Sequence, residues 1–92
     1  MKVTFFYFAQ VRRAAGLDSE AVELPAGADV AAAVRLLAEK HGTEFRKLVL
    51  DDAGGVRPSL LTVVNGLPAL RAGGKPLADG DGVTLLSAVS GG

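Results

Sequence analysis

The 92-residue chain reads as a single α+β domain, a mixed sheet with one main helix packed on one face. Three observations predict this. Lys2–Phe8 and Val83–Ala88, near the two ends, are short runs of β-branched, aromatic and aliphatic residues with strand composition. Between them, Val30, Ala33, Val34, Leu37 and Ala38 recur at helical spacing. Hydrophobic residues make up 49% of the chain and charged residues 22%, a globular balance that supports one modest core.

Taken in order, Lys2–Phe8 places Val3, Phe5 and Tyr7 on one face and Thr4, Phe6 and Phe8 on the other. Both faces are largely apolar. That pattern suits a strand covered on both sides, or one with its second face on a partner. Ala9–Gly16 reads as a short connection of about one helical turn, closed by Gly16. Ser19–Leu24 alternates Ala21 and Glu23 against Val22 and Leu24, as a half-exposed strand does, and Pro25-Ala26-Gly27 ends it. So close a succession of strands predicts an antiparallel hairpin.

Asp29 stands as N-cap of the main helix and Gly42 just past its end. Thr43 is placed to cap a second, shorter helix through Phe45 and Leu48. Asp51–Gly55 is a loop, and Leu60–Asn65 is a strand closed by the tight-turn pair Asn65-Gly66. Leu67–Leu70 is a further short pairing segment, broken by Gly73-Gly74-Lys75-Pro76. Asp79-Gly80-Asp81-Gly82 turns the chain into Val83–Ala88, with Val83 and Leu85 facing one way and Thr84, Leu86 and Ala88 the other. Residues 1–88 then form the domain, and residues 89–92 a flexible tail.

Composition removes several classes of function. Ten basic residues balance ten acidic ones, so no net field attracts a nucleic acid or an anionic membrane. The absence of cysteine excludes disulfides, thiolate metal sites and cysteine nucleophiles. Met1–Thr4 enters a strand without the regions of a signal peptide, and no apolar run is long enough to span a bilayer, so the expected location is cytoplasmic. Lone His41, near a helix C-terminus, reads as a cap or dipole partner. Asp79-Gly80-Asp81 lacks the ligand ladder of a calcium loop. Gly73-Gly74-Lys75 lacks the glycine and hydroxyl of a phosphate loop, with Ala69 and Pro76 in their places. With no acid–base pair or nucleophile triad, the chain is not expected to be an enzyme on its own, nor to bind a metal or cofactor.

The closing Val89-Ser90-Gly91-Gly92 carries the sharpest signal. Two glycines without Cβ atoms let a chain end enter a slot too narrow for side chains. Twelve of the 92 residues are glycine, so such a pair closes the chain by chance in roughly 2% of cases. One helix covers one face of a sheet, which leaves Phe6, Phe8 and Leu86 on the other. Such a patch is ordinary packing or a docking surface, and it would lie beside the strand that launches the tail.

Phe8-Ala9-Gln10-Val11-Arg12 with Gly16, then Val64-Asn65-Gly66, Leu77-Ala78-Asp79-Gly80-Asp81 and the Val-Ser-Gly-Gly end occur in an order that resembles the MoaD-type small subunit of molybdopterin synthase. That family is similar in fold to ubiquitin and to the sulfur carrier ThiS. The resemblance implies a β-grasp fold, with Lys2–Phe8 and Val83–Ala88 adjacent and parallel. It also implies chemistry at the chain end. A ubiquitin-activating-type adenylating enzyme would use ATP to adenylate Gly92, a sulfur donor protein would displace AMP to leave a thiocarboxylate, and the MoaE-type large subunit would receive the sulfur carrier. Gly91 would thread the channel. Phe8, Arg12, Leu67, Leu86, Val89 and Ser90 would meet partners, Arg12 being otherwise a solvated cation. The chain departs from the family in Ser87-Ala88, where a proline pair often stands, and in Gly82, where an acidic residue often follows Asp-Gly-Asp. Other readings of the same end are a carrier for thiamine, cysteine or tRNA thiolation, a ubiquitin-like modifier joined through Gly92 to lysines, and an interaction module with an inert tail.

Overall fold

The computed structural model describes residues 1–68 and 75–87. Five strands and three helices follow one another as β1 (Lys2–Phe8), α1 (Ala9–Ala15), β2 (Ser19–Glu23), α2 (Val30–His41), α3 (Thr43–Val49), β3 (Leu60–Val64), β4 (Leu67–Pro68) and β5 (Gly82–Ser87). The strands form one mixed sheet in the order β2-β1-β5-β3-β4. β1 lies antiparallel to β2 and parallel to β5, and β3 is antiparallel to both β5 and β4. The two strands read from near the chain ends are therefore central neighbours, as expected.

Strand alternation settles which face is covered. Val3, Phe5 and Tyr7 of β1 are buried, and their cross-strand partners Val83 and Leu85 are fully buried with them. Val30, Ala33, Val34, Leu37 and Ala38 of α2 complete this core with Val11, Phe45 and Val49 from the shorter helices. The reading of β1 as covered on both sides does not hold within the chain, because its second face is open. Phe6 and Phe8 stand 41% and 52% exposed on the open face.

The ends of α2 follow their residue chemistry. The Asp29 carboxylate accepts the Ala32 amide at 2.9 Å, satisfying one free donor of the first turn. Gly42 leaves the helix with φ 92°, a conformation glycine adopts without the Cβ penalty, and donates its amide to Ala38. Two local expectations are corrected. Ala9–Ala15 is a seven-residue helix rather than a single turn, anchored through buried Val11. Thr43 is the first residue of α3 and makes no side-chain cap; Gly42 occupies the cap position.

His41 likewise does more than end a helix. Its Nε2 and the Lys40 ammonium donate to the Glu20 carboxylate of β2, which also accepts the Tyr7 hydroxyl at 2.6 Å. The Tyr7, His41 and Phe45 rings pack beside this carboxylate, Tyr7 meeting the other two edge to face. β1, β2, α2 and α3 are pinned together there. Among the described residues no helix is long and apolar enough to cross a membrane.

Candidate functional site

The open sheet face and the strand leading to the chain end form the candidate site. Register builds it row by row. Phe8 pairs with Leu86 across β1 and β5, and Leu86 pairs with Leu61 across β5 and β3. Directly paired residues share a face, so Phe8, Leu86 and Leu61 make one apolar row about 10 Å across, two interstrand steps of ~4.8 Å. Phe8 and Leu61 are 52% and 49% exposed, with Leu86 half-buried between them. Phe6, Thr84, Val63 and Pro68 form the adjacent row toward the start of β5. Leu61 is a member that the sequence reading missed. Its neighbours Leu60 and Thr62 are both buried, and that alternation marks it as outward-facing.

Leu67 does not join this patch. It is 72% exposed, but its partner is Val64, which packs against the core, so Leu67 projects on the helix side at the sheet edge. The two-residue turn decides this, because the hairpin register fixes the face of every residue after it. Arg12 lies on the surface of α1, immediately after β1, with its Nη1 3.3 Å from Asp18 Oδ1. A pair with both partners this exposed holds the guanidinium only weakly, leaving it open to another carboxylate. Val89, Ser90, Gly91 and Gly92, together with Ala88, lie outside the described residues.

The Val64-Asn65-Gly66 and Leu77–Asp81 segments, far apart in sequence, meet at the start of β5. Asn65 and Gly66 have φ 51° and 83°, the paired positive values of a type I′ hairpin turn. Asn65 Nδ2 donates to Asp81 Oδ1 at 2.9 Å, while its Oδ1 accepts the Gly82 amide at 2.8 Å. The other Asp81 oxygen accepts the Ala78 amide at 2.8 Å. The Ala78 amide, then the Asn65 side chain, hold the Asp81 carboxyl below the usual carboxylate range. Gly80 and Asp81 also bond the main chain of Lys2 and Thr4. The junction thus sets where β5 begins between β1 and β3.

Gly82 has its own reason at this junction. A Cβ there would sit 3.3 Å from the Phe6 ring, a tight contact that the ring would have to yield to by a few tenths of an ångström. Among the described residues no group of three or more His, Cys, Asp or Glu side chains is arranged to hold a metal ion.

A mixed sheet whose two central parallel strands lie across one main helix, with the opposite face open, is the β-grasp fold of ubiquitin-like proteins. The chain belongs to the ThiS family, a family of ubiquitin-like sulfur carriers whose sequence pattern matches residues 5–92. It is similar to SAMP1 from Haloferax volcanii, at 27% identity over 100% of both chains with a TM-score of 0.86. A Pyrococcus furiosus protein assigned as molybdopterin converting factor subunit 1 shares 32% identity over 97% of this chain and 99% of its own, with a TM-score of 0.78. CysO of Mycobacterium tuberculosis shares 26% identity over 95% and 99%, with a TM-score of 0.68. No curated protein sequence matches the chain.

Proposed function

We propose that this chain carries sulfur on its Gly92 carboxyl group as the small subunit of a molybdopterin synthase. The observation that supports this most is the family match, which runs from β1 through Gly92. The similarity to the Pyrococcus furiosus converting-factor subunit over nearly the whole of both chains favours the molybdenum-cofactor pathway. A carboxylate is a poor electrophile, so a cytoplasmic adenylating enzyme first joins it to the α-phosphate of ATP and releases pyrophosphate. Hydrosulfide released by the sulfur donor then attacks the carbonyl carbon, the C–O bond to AMP breaks, and a thiocarboxylate remains. Without cysteine, the chain has no side chain for a persulfide, so the sulfur sits on the terminal carbonyl. In this reading the chain supplies no catalytic group. The Phe8–Leu86–Leu61 row docks the large subunit, Arg12 engages a partner carboxylate, and Val89-Ser90-Gly91 threads the tail. ATP belongs to the activating enzyme.

A second reading has specific support: the similarity to a small archaeal modifier protein of Haloferax volcanii, at 25% identity over 96% of this chain and a TM-score of 0.83. A modifier would pass the same activated Gly92 to a lysine amine and form an isopeptide. Intact-protein mass spectrometry after incubation with the cognate adenylating enzyme, ATP and a sulfur donor tests both. The carrier gains one sulfur in place of one oxygen at Gly92, and deletion of Gly92 abolishes the gain. Full sulfur loading of the deleted chain would defeat the mechanism, whereas lysine-linked conjugates without a thiocarboxylate would select the modifier.

A further inference from the structure

We propose that Asn65 is a site of non-enzymatic deamidation, restrained by the native fold, whose conversion unlatches the start of β5. Asn65 is exposed and is followed by Gly66, whose missing side chain leaves the peptide nitrogen open to approach the Asn65 amide carbon. In the reaction the Gly66 nitrogen loses its proton to water and bonds to Asn65 Cγ, and ammonia leaves with Nδ2. A five-membered cyclic imide results. Water then opens either imide carbonyl, giving aspartate or, with the main chain rerouted through Cβ, isoaspartate. No oxidant or cofactor is needed.

The structure opposes the first step at both ends of the amide. Nδ2, the leaving group, donates to Asp81 Oδ1 at 2.9 Å, and Oδ1 accepts the Gly82 amide at 2.8 Å. The Asn65 main-chain amide is also held by the Gly82 carbonyl at 2.8 Å. Swinging Cγ toward Gly66 breaks both side-chain bonds, so ring closure waits on local opening of the β3–β5 junction.

Conversion then removes what held the junction closed. A carboxylate at position 65 can accept but not donate. It would face the Asp81 carboxylate across the distance that the amide now bridges, placing like charges in contact. Isoaspartate would also lengthen the main chain within a turn whose register fixes Val64 opposite Leu67. The first conversion therefore weakens the fold around it, and the affected strand is the one that leads to the chain end.

The test compares the full chain with a synthetic Leu60–Leu70 peptide, both kept at mildly alkaline pH in heavy-oxygen water. Peptide mapping follows residue 65. The full chain should take up heavy oxygen there at least about fivefold more slowly than the peptide, the factor for one net hydrogen bond. Asp81→Ala, which frees Nδ2, should speed conversion about fivefold over the parent chain. Converted protein, separated by ion exchange, should melt below unconverted protein. If Asp81→Ala fails to fold, the chain-against-peptide rates and the melting comparison still decide. Conversion of the chain at the peptide's rate would remove the restraint. Unchanged melting would remove the latch, and a residue 65 that stays intact in the chain even when it is unfolded in denaturant, where the peptide converts, would remove the site.

Discussion

Glu20 accepts from Tyr7, Lys40 and His41, and so joins one carboxylate to three residues that the sequence scatters over 34 positions. Burial alone would raise its pKa, but hydrogen bonds from Lys40, Tyr7 and His41 together outweigh that and hold it below its ordinary value of 4.5. Burial, then the bond to Glu20, pushes the Tyr7 hydroxyl far up, so it stays a donor across the physiological range. A carboxyl depressed in the folded state favours folding at pH above its unfolded value, and this contribution is lost as pH falls through the folded one. Glu20→Gln should therefore lower stability at pH 7, and the gap from the parent chain should narrow as titration proceeds below about pH 4.5. Glu20→Ala leaves buried donors unpaired and should cost roughly 1–3 kcal/mol in chemical denaturation. This cluster could not be read from sequence. Glu20 sits in an alternating strand and His41 at a helix end, and only the packing of α2 over β1 and β2 brings them together.

At the scale of elements, legibility followed local signals. Period-two alternation in Lys2–Phe8 separates buried Phe5 and Tyr7 from exposed Phe6 and Phe8, and the structure keeps that division. Asp29 and Gly42 bracket α2 because capping chemistry is local. The α1 sequence AQVRRAA has one large apolar anchor, Val11, and no stripe to count, so its pattern alone marks only about one turn. Sequence alone does not separate Leu67 from Phe8 and Leu86, because faces cannot be carried across a hairpin until its register is known. Asp29→Ala deletes the Ala32 bond and should destabilise the chain by about 1 kcal/mol, lowering the melting temperature by roughly 4–8 °C. Asp29→Asn or Asp29→Ser should keep most of it, and an equal loss in all three would show that the cap is not the cause.

Across the whole molecule, the sheet has one face committed to the core and one open face, and substitutions on neighbouring residues distinguish them. Leu85 is fully buried in β5 against Tyr7 and Thr62, whereas Leu86 lies half-buried between Phe8 and Leu61. Leu85→Ala opens a cavity in the core and should cost roughly 2–5 kcal/mol, visible as a large fall in denaturation midpoint. Phe8→Asp and Leu61→Asp each place a charge where water already reaches, so the isolated chain should keep its far-ultraviolet circular dichroism and melt close to the parent. Against a partner that desolvates this row, the same charge is buried without a counter-ion and should weaken association by 2 kcal/mol or more, about thirtyfold. Calorimetric titration with the large synthase subunit measures it. The proposed docking row predicts losses for Phe8→Asp and Leu61→Asp but little change for Leu67→Asp, which lies on the other side of the sheet. Equal weakening by Leu67→Asp would move the docking surface to the sheet edge, and unfolding of the isolated Phe8→Asp or Leu61→Asp chain would place those residues in the core.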